Sequence, residues 1–429
     1  MTESGPVSLR GDPVGYLALL RENRDFRRLW FGELVSFAGD WFNAIALYAA
    51  VEELSGSTEA IAAVFVAKLL PVFLMTPIAG PLCDRFDRRK IMLITDFARA
   101  ACAVGLVFAY RARSLPLIFG LLVVMVAFAG VFIPAKSAVV PQITTERQLN
   151  AANALSAGTW SVMLAAGAAG GGLVTEYAGI EVALLCDALT FLVSAAFLYG
   201  LPALLPTADE PHRDGPPSSG AATDSRSFVD GLRYLKRRPY LAVIICLKPG
   251  MALAGGTLAM LPVFATQVFT SIRAPLAMAV LYTARGLGAM IGSLAVRKIF
   301  GDRRRTMNML IPVGYVLLAV GYLGLAVSAN LWQAGLGYFT AAFGGGAIWV
   351  FSGTLGQLES DNAYRGRVFA IEWGVLTLTL SATAWLSGAL IERFGWTVRD
   401  VALASSCVVF LPLVAWLAVL ASRREKHAS

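Results

Sequence analysis

Charged side chains lie near the middle of long apolar stretches at four places in this sequence. They are one acid and three bases, Asp40, Lys68, Lys248 and Arg285. Ionisable groups inside a membrane-spanning segment are costly, so each of them indicates either a function or a structural ion pair. The chemistry open to such groups is to take up and release a proton, or to hold a charged solute. The sequence therefore predicts movement of protons or solutes rather than covalent catalysis.

Asp40 is the first candidate for proton coupling and lies in the run Gly39-Asp40-Trp41-Phe42-Asn43. Desolvation favours its neutral carboxyl group, whereas an adjacent lysine favours the carboxylate, and together they make an acid that can switch between protonated and paired states. A permanent ion pair with Lys68 or with a polar neighbour is the alternative. Glu33 lies seven residues earlier on roughly the same helix face, and is either a second proton site or a residue at the rim.

The three bases are candidates for lining a substrate cavity. Lys248 precedes Pro249 and Gly250, and a helix broken at these residues lines a cavity more easily than it faces lipid. If Lys68, Lys248 and Arg285 share a cavity, they favour an anionic or zwitterionic solute. If they face other helices, this inference fails.

Further polar and aromatic residues accompany these charges, although aromatics more often pack between helices or anchor the membrane interface. The candidates for cavity contact are Trp41, Asn43 and Trp373, with Phe42, Trp160, Tyr282 and Trp349 as other stacking surfaces. Asp96 and Arg99 are spaced to pair on one helix and are interpreted as support for a neighbouring basic loop. Asp187 lies nearer the outer end of its stretch, and Glu372 nearer the inner end.

The composition is that of a polytopic membrane protein. Of its 429 residues, 57% are hydrophobic and only 15% are charged, which is too apolar for an average soluble protein. The net charge of +8 is concentrated in loops, where it orients the chain in a bilayer, so we predict no nucleic-acid partner. The five cysteines show no C-x-x-C spacing, and the two histidines lie in polar segments. We therefore predict no metal site and no cofactor.

We predict an all-α integral membrane protein with twelve transmembrane helices, because each apolar stretch is long enough to cross a hydrocarbon layer of about 30 Å. The predicted spans are Leu29–Glu52, Thr58–Leu82, Lys90–Tyr110, Leu115–Val139, Asn150–Thr175, Ile180–Leu201, Tyr240–Phe269, Pro275–Val296, Thr306–Val327, Leu331–Gly356, Val368–Ile391 and Val398–Ala421.

Basic loops alternate with loops that are poor in lysine and arginine, which places both termini in the cytoplasm by the positive-inside rule. A polar linker separates two pseudo-symmetric six-helix bundles, each with a basic loop after its second span. The predicted divisions are an N-terminal cytoplasmic segment 1–28, a first bundle 29–201, a linker 202–239, a second bundle 240–421 and a cytoplasmic tail 422–429.

A dense charge cluster forms the loop between the second and third spans. It reads Gly80-Pro81-Leu82-Cys83-Asp84-Arg85-Phe86-Asp87-Arg88-Arg89-Lys90. A carboxylate beside the N-terminus of a neighbouring helix is stabilised by the helix dipole, and arginines can hold it there with bidentate bonds. We therefore predict a latch between the bundles at the cytoplasmic face, the alternative being a positively charged membrane anchor. The predicted gate consists of Gly80, Asp84, Arg85, Arg88, Arg89 and Glu372.

This loop resembles the signature G-x-L-x-D-R-x-G-R-(R/K) of the major facilitator superfamily, with Asp87 where the family more often has glycine. In the fifth span, Gly167, Gly171 and Gly172 resemble the family's antiporter motif G-P-x-x-G-G, with Ala168 at the proline position. Close helix packing is the other interpretation of these glycines. The resemblance covers essentially the whole chain and implies two bundles that rock about a central site.

Three further segments are similar to the branch of this family that contains enterobactin-type siderophore exporters and macrolide or multidrug efflux proteins. They are Phe26-Arg27-Arg28-Leu29-Trp30 leading to Gly39-Asp40, Phe132-Ile133-Pro134-Ala135, and Asp187-Ala188-Leu189-Thr190-Phe191-Leu192. The resemblance implies a proton-driven exporter of a small amphipathic molecule in the inner (plasma) membrane. The R-x-x-x-G-type motif of many proton antiporters is absent from the fourth span, which leaves the acids of the first span as the nearest substitutes.

We expect a monomer that interacts with a small-molecule substrate, with protons and with the lipid bilayer. An uptake transporter or a lipid flippase on the same fold is one alternative. A non-transporting membrane sensor is another, but the linker and tails are too short for an added soluble domain.

Overall fold

The computed structural model describes residues 15–205, 225–300 and 304–428, with the side chains of some helical residues left out. These residues form helices and no strands, so the predicted all-α fold is confirmed. Within them, eleven helices are long and apolar enough to cross a membrane. The greater part of the predicted linker, residues 206–224, lies outside the described residues.

The first half of the chain forms six long helices after one short one. Asn23 begins the first long helix by accepting a hydrogen bond from the backbone N–H of Phe26 at 2.9 Å. That helix ends at Gly56, whose φ of +60° suits a residue without a β-carbon. The helices are α1 Tyr16–Glu22, α2 Arg24–Ser55, α3 Thr58–Arg85, α4 Arg88–Arg111, α5 Leu115–Ile143, α6 Glu146–Tyr177 and α7 Ile180–Tyr199.

The second half begins with an amphipathic helix and contains a broken seventh crossing. Its helices are α8 Ser225–Arg237, α9 Pro239–Ala252, α10 Gly255–Ala259, α11 Leu261–Val263, a π-helical segment Phe264–Val268, α12 Ala274–Phe300, α13 Arg304–Ala326, α14 Leu331–Glu359, α15 Asn362–Phe394, α16 Val398–Val408 and α17 Phe410–Ala428. Below, N-half means α2–α7 and C-half means α9–α17.

The seventh crossing differs from the single span predicted from the sequence. Pro249 cannot donate a backbone hydrogen bond, and the helix that contains it ends at Ala252. Side chains of neighbouring helices satisfy the interrupted backbone. Tyr315 donates to the carbonyl of Leu247 at 2.6 Å, and Thr383 donates to that of Ala252 at 3.1 Å. Irregular backbone at membrane depth is tolerated where protein groups satisfy it in this way.

The two halves touch along two seams, α6 with α12 and α3 with α15. We call the face where α2 begins the basic face, because the loop with Arg88 and Arg89 lies there, and the face where α2 ends the far face. At the far face, Arg393 bonds Glu59 at 2.7 Å, and Glu392 accepts from the backbone N–H of Thr58 at 3.0 Å.

A second ion pair joins the halves at the far face, between Arg273 and Glu176. Among the described residues, the hydrogen bonds and salt bridges between the halves lie at the far face or at mid-depth. The structure therefore has its two halves closed together at the far face.

Candidate functional site

Arg99 in α4 is the centre of a group of mid-depth charges in the N-half. Its guanidinium donates to the carboxylate of Asp40 at 2.7 Å and lies 3.8 Å from that of Asp96. The same guanidinium stacks over the ring of Phe191 at 4.0 Å. Asp40 therefore has a partner, but that partner is Arg99 and not Lys68.

Asp187 in α7 completes the acidic side of this group. It is fully buried, and neither of its carboxylate oxygens has a hydrogen-bond partner among the described residues. Gly39 allows its close approach, since a β-carbon at Gly39 would lie 2.8 Å from an oxygen of Asp187. The charges of Asp40 and Arg99 act on Asp187. It belongs at the centre of the site, although its position in the sequence suggested a place nearer the outer end.

Lys68 in α3 is the second base of the group. It is partly exposed, and it forms no hydrogen bond or salt bridge with another residue in the described ranges. The charges of Asp40, Asp187 and Arg99 all act on it. We call Asp40, Asp96, Asp187, Arg99 and Lys68 the acidic cluster.

The acidic cluster contains one more carboxyl group than it has bases. Asp96 and Asp187 are each 0% exposed, and none of their four carboxylate oxygens has a hydrogen-bond partner in the described part of the chain. With three carboxyl groups and two bases, the cluster is electrically balanced when one carboxyl group carries a proton. The arrangement can therefore hold one proton, or another single positive charge, at the middle of the membrane.

Asn43 and Glu33 lie on the same helix as Asp40 but differ in how they are satisfied. Asn43 is fully buried beside Asp187, yet its amide has no partner in hydrogen-bond geometry among the described residues. Glu33 forms a salt bridge with Lys136 in α5 and accepts a hydrogen bond from Ser156 at 3.0 Å. Glu33 is thus neutralised by Lys136 at a position nearer the basic face, and it does not belong to the acidic cluster.

Sequence reasoning missed Lys136, although a signal for it exists. It follows Phe132-Ile133-Pro134-Ala135 directly and is the one ionisable residue in the otherwise apolar fourth span. A search for the R-x-x-x-G-type motif looks for arginine and therefore does not detect Lys136. A lysine at the same depth as Glu33 on an antiparallel neighbour supplies the counter-charge that a buried carboxylate requires.

Lys248 and Glu372 form the buried pair of the C-half. Their charged atoms are 2.9 Å apart, with side chains 8% and 1% exposed. The ammonium group lies 4.9 Å from the ring of Trp349 and 5.8 Å from that of Phe369. Lys248 is therefore neutralised within its own half, and Glu372 contacts Lys248 instead of the loop at Asp84.

Arg285 in α12 is the remaining mid-depth base. It is partly exposed and has no salt bridge with any described residue. Successive helix residues turn by about 100°, so Arg285 lies opposite the exposed, lipid-facing Leu287, Ile291 and Leu294. Its charge acts on four buried phenol groups, those of Tyr48, Tyr282, Tyr322 and Tyr338.

The aromatic candidates separate into two groups. Trp41 packs on Tyr282 across the halves, with ring centroids 5.1 Å apart, and so lies between the acidic cluster and Arg285. Trp373 packs edge to face on Trp349 at 5.7 Å beside the Lys248 pair, and 45% of its surface is exposed.

The three glycines of α6 lie at helix contacts. A β-carbon at Gly167 would meet the ring of Trp41 at 3.0 Å, and one at Gly171 would meet the backbone oxygen of Trp41 at 2.9 Å. Gly172 faces the other half, where a β-carbon would clash with that of Ala279. These positions allow α6 to pack closely on α2 and on α12.

The residues of the predicted gate do not meet one another in this conformation. Asp84 is exposed and forms no hydrogen bond or ion pair with any described residue. Gly80 and Arg85 lie on the same helix, α3, without a described contact to Glu372. Arg88 donates to the carbonyls of Cys83 and Ala138 at 3.4 and 3.3 Å. The latch between the halves stays a prediction, for a conformation closed at the basic face.

Arg89 and Asp87 tie the loop to the end of the N-half. Arg89 donates to the carbonyl of Tyr199. The Asp87 carboxylate accepts from the backbone N–H of Arg89 at 3.0 Å and from that of Leu204 at 3.1 Å. The residue that departs from the expected glycine therefore caps α4 and anchors the beginning of the linker. No group of three or more metal-ligating side chains occurs within the described ranges.

Comparisons with known proteins agree with this architecture. The sequence profile of the Major Facilitator Superfamily matches residues 29–372. The chain is 26% identical to the putative bacilysin exporter BacE of Bacillus subtilis (strain 168), over 82% of this chain and 85% of the relative. It is 23% identical to the enterobactin exporter EntS of Escherichia coli O9:H4 (strain HS), over 96% of this chain and 95% of the relative.

The solved structure of the POT family transporter PepTSo has a similar fold. Its TM-score with this structure is 0.72 at 12% sequence identity, over 94% of this chain and 99% of the other. At that identity the likeness concerns the arrangement of the helices alone.

Proposed function

The chain belongs to the major facilitator superfamily and is a multi-pass membrane transporter of small molecules, not an enzyme. On this premise we propose that it is a proton-coupled exporter of an amphipathic organic molecule. Export is proposed because the relatives BacE and EntS are described as exporters. The proposed location is the inner membrane, with both termini and the basic face in the cytoplasm, because the basic loops lie on that side.

In an alternating-access cycle, the observed conformation corresponds to the state that is closed at the far face. With the halves in contact at the far face, a solute would enter from the basic face. In the proposed cycle the contacts at Glu59 and Glu176 break, and the loop at Asp84 closes the opposite face. The proposed transporter is a monomer, since each half supplies part of one central site.

The acidic cluster is the observation that carries the proposal. Its surplus carboxyl group favours one bound proton, and its two acids without hydrogen bonds, Asp96 and Asp187, are available to hold it. Arg99 can then pair with whichever carboxylate is charged. Protonation changes the charge of the central site by one unit, which is what coupling a solute to a proton requires. We propose Asp187 and Asp40 as the coupling acids, with Glu33 limited to its pair with Lys136.

Lys68 and Arg285 are the proposed contacts for the solute. They are the mid-depth bases in the described part of the chain that have no salt bridge, and they come from different halves. Trp41 and Tyr282 add an aromatic surface between them. A solute with an acidic group and an aromatic body fits this combination. Lys248 is not included, because Glu372 already neutralises it.

The test is transport by purified protein in liposomes with an imposed pH gradient. A panel of aromatic carboxylates, with the corresponding aromatic amines as a counter-panel, is offered outside vesicles with an acidic lumen. We expect accumulation of a carboxylate that collapses when an ionophore removes the gradient. Asp187→Asn and Asp40→Asn should abolish the gradient dependence while solute exchange persists, and Asp230→Asn, in the surface helix α8, should behave as wild type.

Gradient-driven accumulation that survives both substitutions would remove the coupling assignment. Preference for amines that exceeds their uptake by protein-free vesicles would remove the assignment of Lys68 and Arg285. Failure of every solute to follow the gradient, with exchange intact, would show a facilitator without proton coupling.

A further inference from the structure

A pocket of about 400 Å³ lies at the far face, between the two halves. Helices α2, α4, α6 and α7 line it from the N-half, and the π-helical segment and the start of α12 line it from the C-half. It is distant from the acidic cluster along α2, since Glu52 is twelve residues beyond Asp40. We call it the far-face pocket. The lining residues that matter are Ala49, Glu52, Glu53, Thr175, Thr266 and Pro275.

Two polar groups of this pocket lack partners in the described part of the chain. One carboxylate oxygen of Glu52 is buried and accepts no hydrogen bond. The hydroxyl of Thr175 is also unpartnered, and only 5% of Thr175 is exposed. A threonine in a helix ordinarily satisfies its hydroxyl by donating to a backbone carbonyl one turn earlier. The groups are thus left available to a molecule inside the pocket.

The charge of the pocket is negative. Glu52 and Glu53 line it, and none of its lining residues is a lysine or an arginine. Glu53 accepts a hydrogen bond from Tyr110 at 2.7 Å, which leaves its charge uncompensated.

Two arginines near this pocket are engaged elsewhere. Arg273 pairs with Glu176, and Arg111 pairs with Glu181 through two bonds of 3.0 and 2.6 Å. Arg113 acts on Tyr110 from the loop after α4 but does not line the pocket. A cation that entered the pocket would therefore meet no positively charged side chain among the described lining residues.

The π-helical segment brings the C-half into the same site. It carries Thr266, whose hydroxyl lies beside the carboxylate of Glu52. Single π turns within helices are rare and are frequent at functional sites. This turn continues the broken seventh crossing, so the wall of the pocket on that side is formed by irregular backbone.

We propose that the far-face pocket binds a small organic cation, with its ammonium group on Glu52 and its apolar body against Ala49, Ile180 and Pro275. The hydroxyl oxygens of Thr175 and Thr266 accept the remaining ammonium protons. The volume is in the range of sites for small organic ligands, which are mostly apolar with a few placed polar groups. A bare Mg²⁺ or Ca²⁺ ion fits less well, because such ions require about six or more oxygen ligands.

The location of the pocket gives such a ligand a regulatory effect. Both halves contribute walls, so the complete site exists only while the far face is closed. A ligand that binds one conformation alone shifts the population toward it. Occupancy therefore opposes opening at the far face and inhibits the transport cycle. This site goes beyond the proposed export function and can be tested without a transport assay.

The test uses purified wild-type protein in detergent with phenethylamine as the probe. Phenethyl alcohol serves as its neutral counterpart, and MgCl₂ as the inorganic cation. We expect the amine to raise the melting temperature and to give a saturable calorimetric isotherm. Glu52→Gln should weaken binding at least about tenfold, and Thr175→Val several-fold. Asp230→Asn, which changes an exposed carboxylate in the surface helix α8, should bind as wild type.

Hydrogen–deuterium exchange supplies the second measurement. Bound amine should slow exchange both in the segment Phe264–Val268 and around Thr175 in α6. Equal stabilisation by phenethyl alcohol, stabilisation by MgCl₂ alone, or undiminished amine binding to folded Glu52→Gln would each overturn the site. Protection confined to one half would overturn the bridging role.

Discussion

Each half contains a buried ion pair that starts from its first crossing, but only the N-half contains an acidic cluster at mid-depth among the described residues. Glu33 and Lys248 are each the tenth residue of their helices, α2 and α9, and each is paired within its own half. Their charges are opposite, and their partners are Lys136 and Glu372. The pairs thus start from the same position in the first crossing of each half, but their partners lie on crossings that do not correspond, the fourth and the eleventh.

The acidic cluster has no counterpart in the described part of the C-half. At the corresponding depth that half presents Arg285, a base surrounded by tyrosines. An ion pair of one acid and one base is already neutral and does not favour binding of a proton. A cluster with one carboxyl group more than its bases does favour binding of a proton. In the proposed mechanism the proton-binding acids belong to the N-half, whereas the paired charges hold helices together within each half.

The largest effect is expected from Arg99→Met. It leaves three carboxyl groups, two of them fully buried, facing Lys68 alone, and loss of one partner from a buried ion pair destabilises by about 3–5 kcal/mol. We expect loss of folded protein in size-exclusion chromatography and no transport. Arg99→Lys, which keeps the charge, should restore part of the yield. A stable, active Arg99→Met protein would show that the cluster does not depend on this base.

The pair of the C-half should respond differently. Lys248→Met or Glu372→Met alone leaves a buried charge and should lower the free energy of unfolding by about 3 kcal/mol. The double variant removes both charges and should recover to within about 1 kcal/mol of wild type, with transport retained. Thermal unfolding of the four proteins measures the coupling between the two sites. Loss of proton-driven transport in a stable double variant would place coupling in the C-half as well.

Asp187→Asn should affect coupling more than stability. The substitution preserves the shape of the side chain and replaces a buried carboxyl group that has no hydrogen-bond partner among the described residues, so the melting temperature should stay equal to that of wild type or rise. Proton uptake accompanying solute exchange, measured with a pH dye in the vesicle lumen, should fall at least about tenfold. Unchanged proton uptake would shift the assignment to Asp96.

The smallest effect is expected at the surface pair between the halves. Arg393→Ala removes an exposed salt bridge, and such pairs contribute about 0–1 kcal/mol. We expect a shift of under about 1 kcal/mol in stability that vanishes at high salt. Arg233→Ala is the control, because it breaks an exposed pair with Asp230 inside the surface helix α8. A destabilisation as large as that of Glu372→Met would contradict the distinction between surface and buried pairs.

The membrane helices were largely predictable from the sequence, because a chain in lipid must form its backbone hydrogen bonds internally and an α-helix does so within one segment. Asp40, Lys68 and Arg285 stood out for the related reason that a charge in an apolar stretch is conspicuous. Pro249 signalled the break in the seventh crossing, yet the apolar pattern still predicted a single span there. Hydropathy averages over a window and does not register a local loss of hydrogen bonds.

The partners of the charges were not predictable. Whether Asp40 meets Lys68 or Arg99 depends on the rotation of three helices, and the sequence does not give that rotation. The close approach of α7 through Gly39 is a contact between residues about 150 positions apart, and it alone brings Asp187 to the centre. The outer end of α7 was predicted at Ile180, where the structure has it, so the missing information was the set of contacts that Asp187 makes and not its depth along the helix.

The interrupted seventh crossing separates the two faces of the protein mechanically. An unbroken helix transmits a rotation from one end to the other, whereas a crossing interrupted after Ala252 and again at Met260 transmits little of it. Its part nearer the basic face is held to α15 through Lys248, and its part nearer the far face carries Thr266 at the junction of the halves. Separation of the halves at the far face can then begin with a tilt of the short segment from Leu261 to Val268, before the rest of the C-half moves.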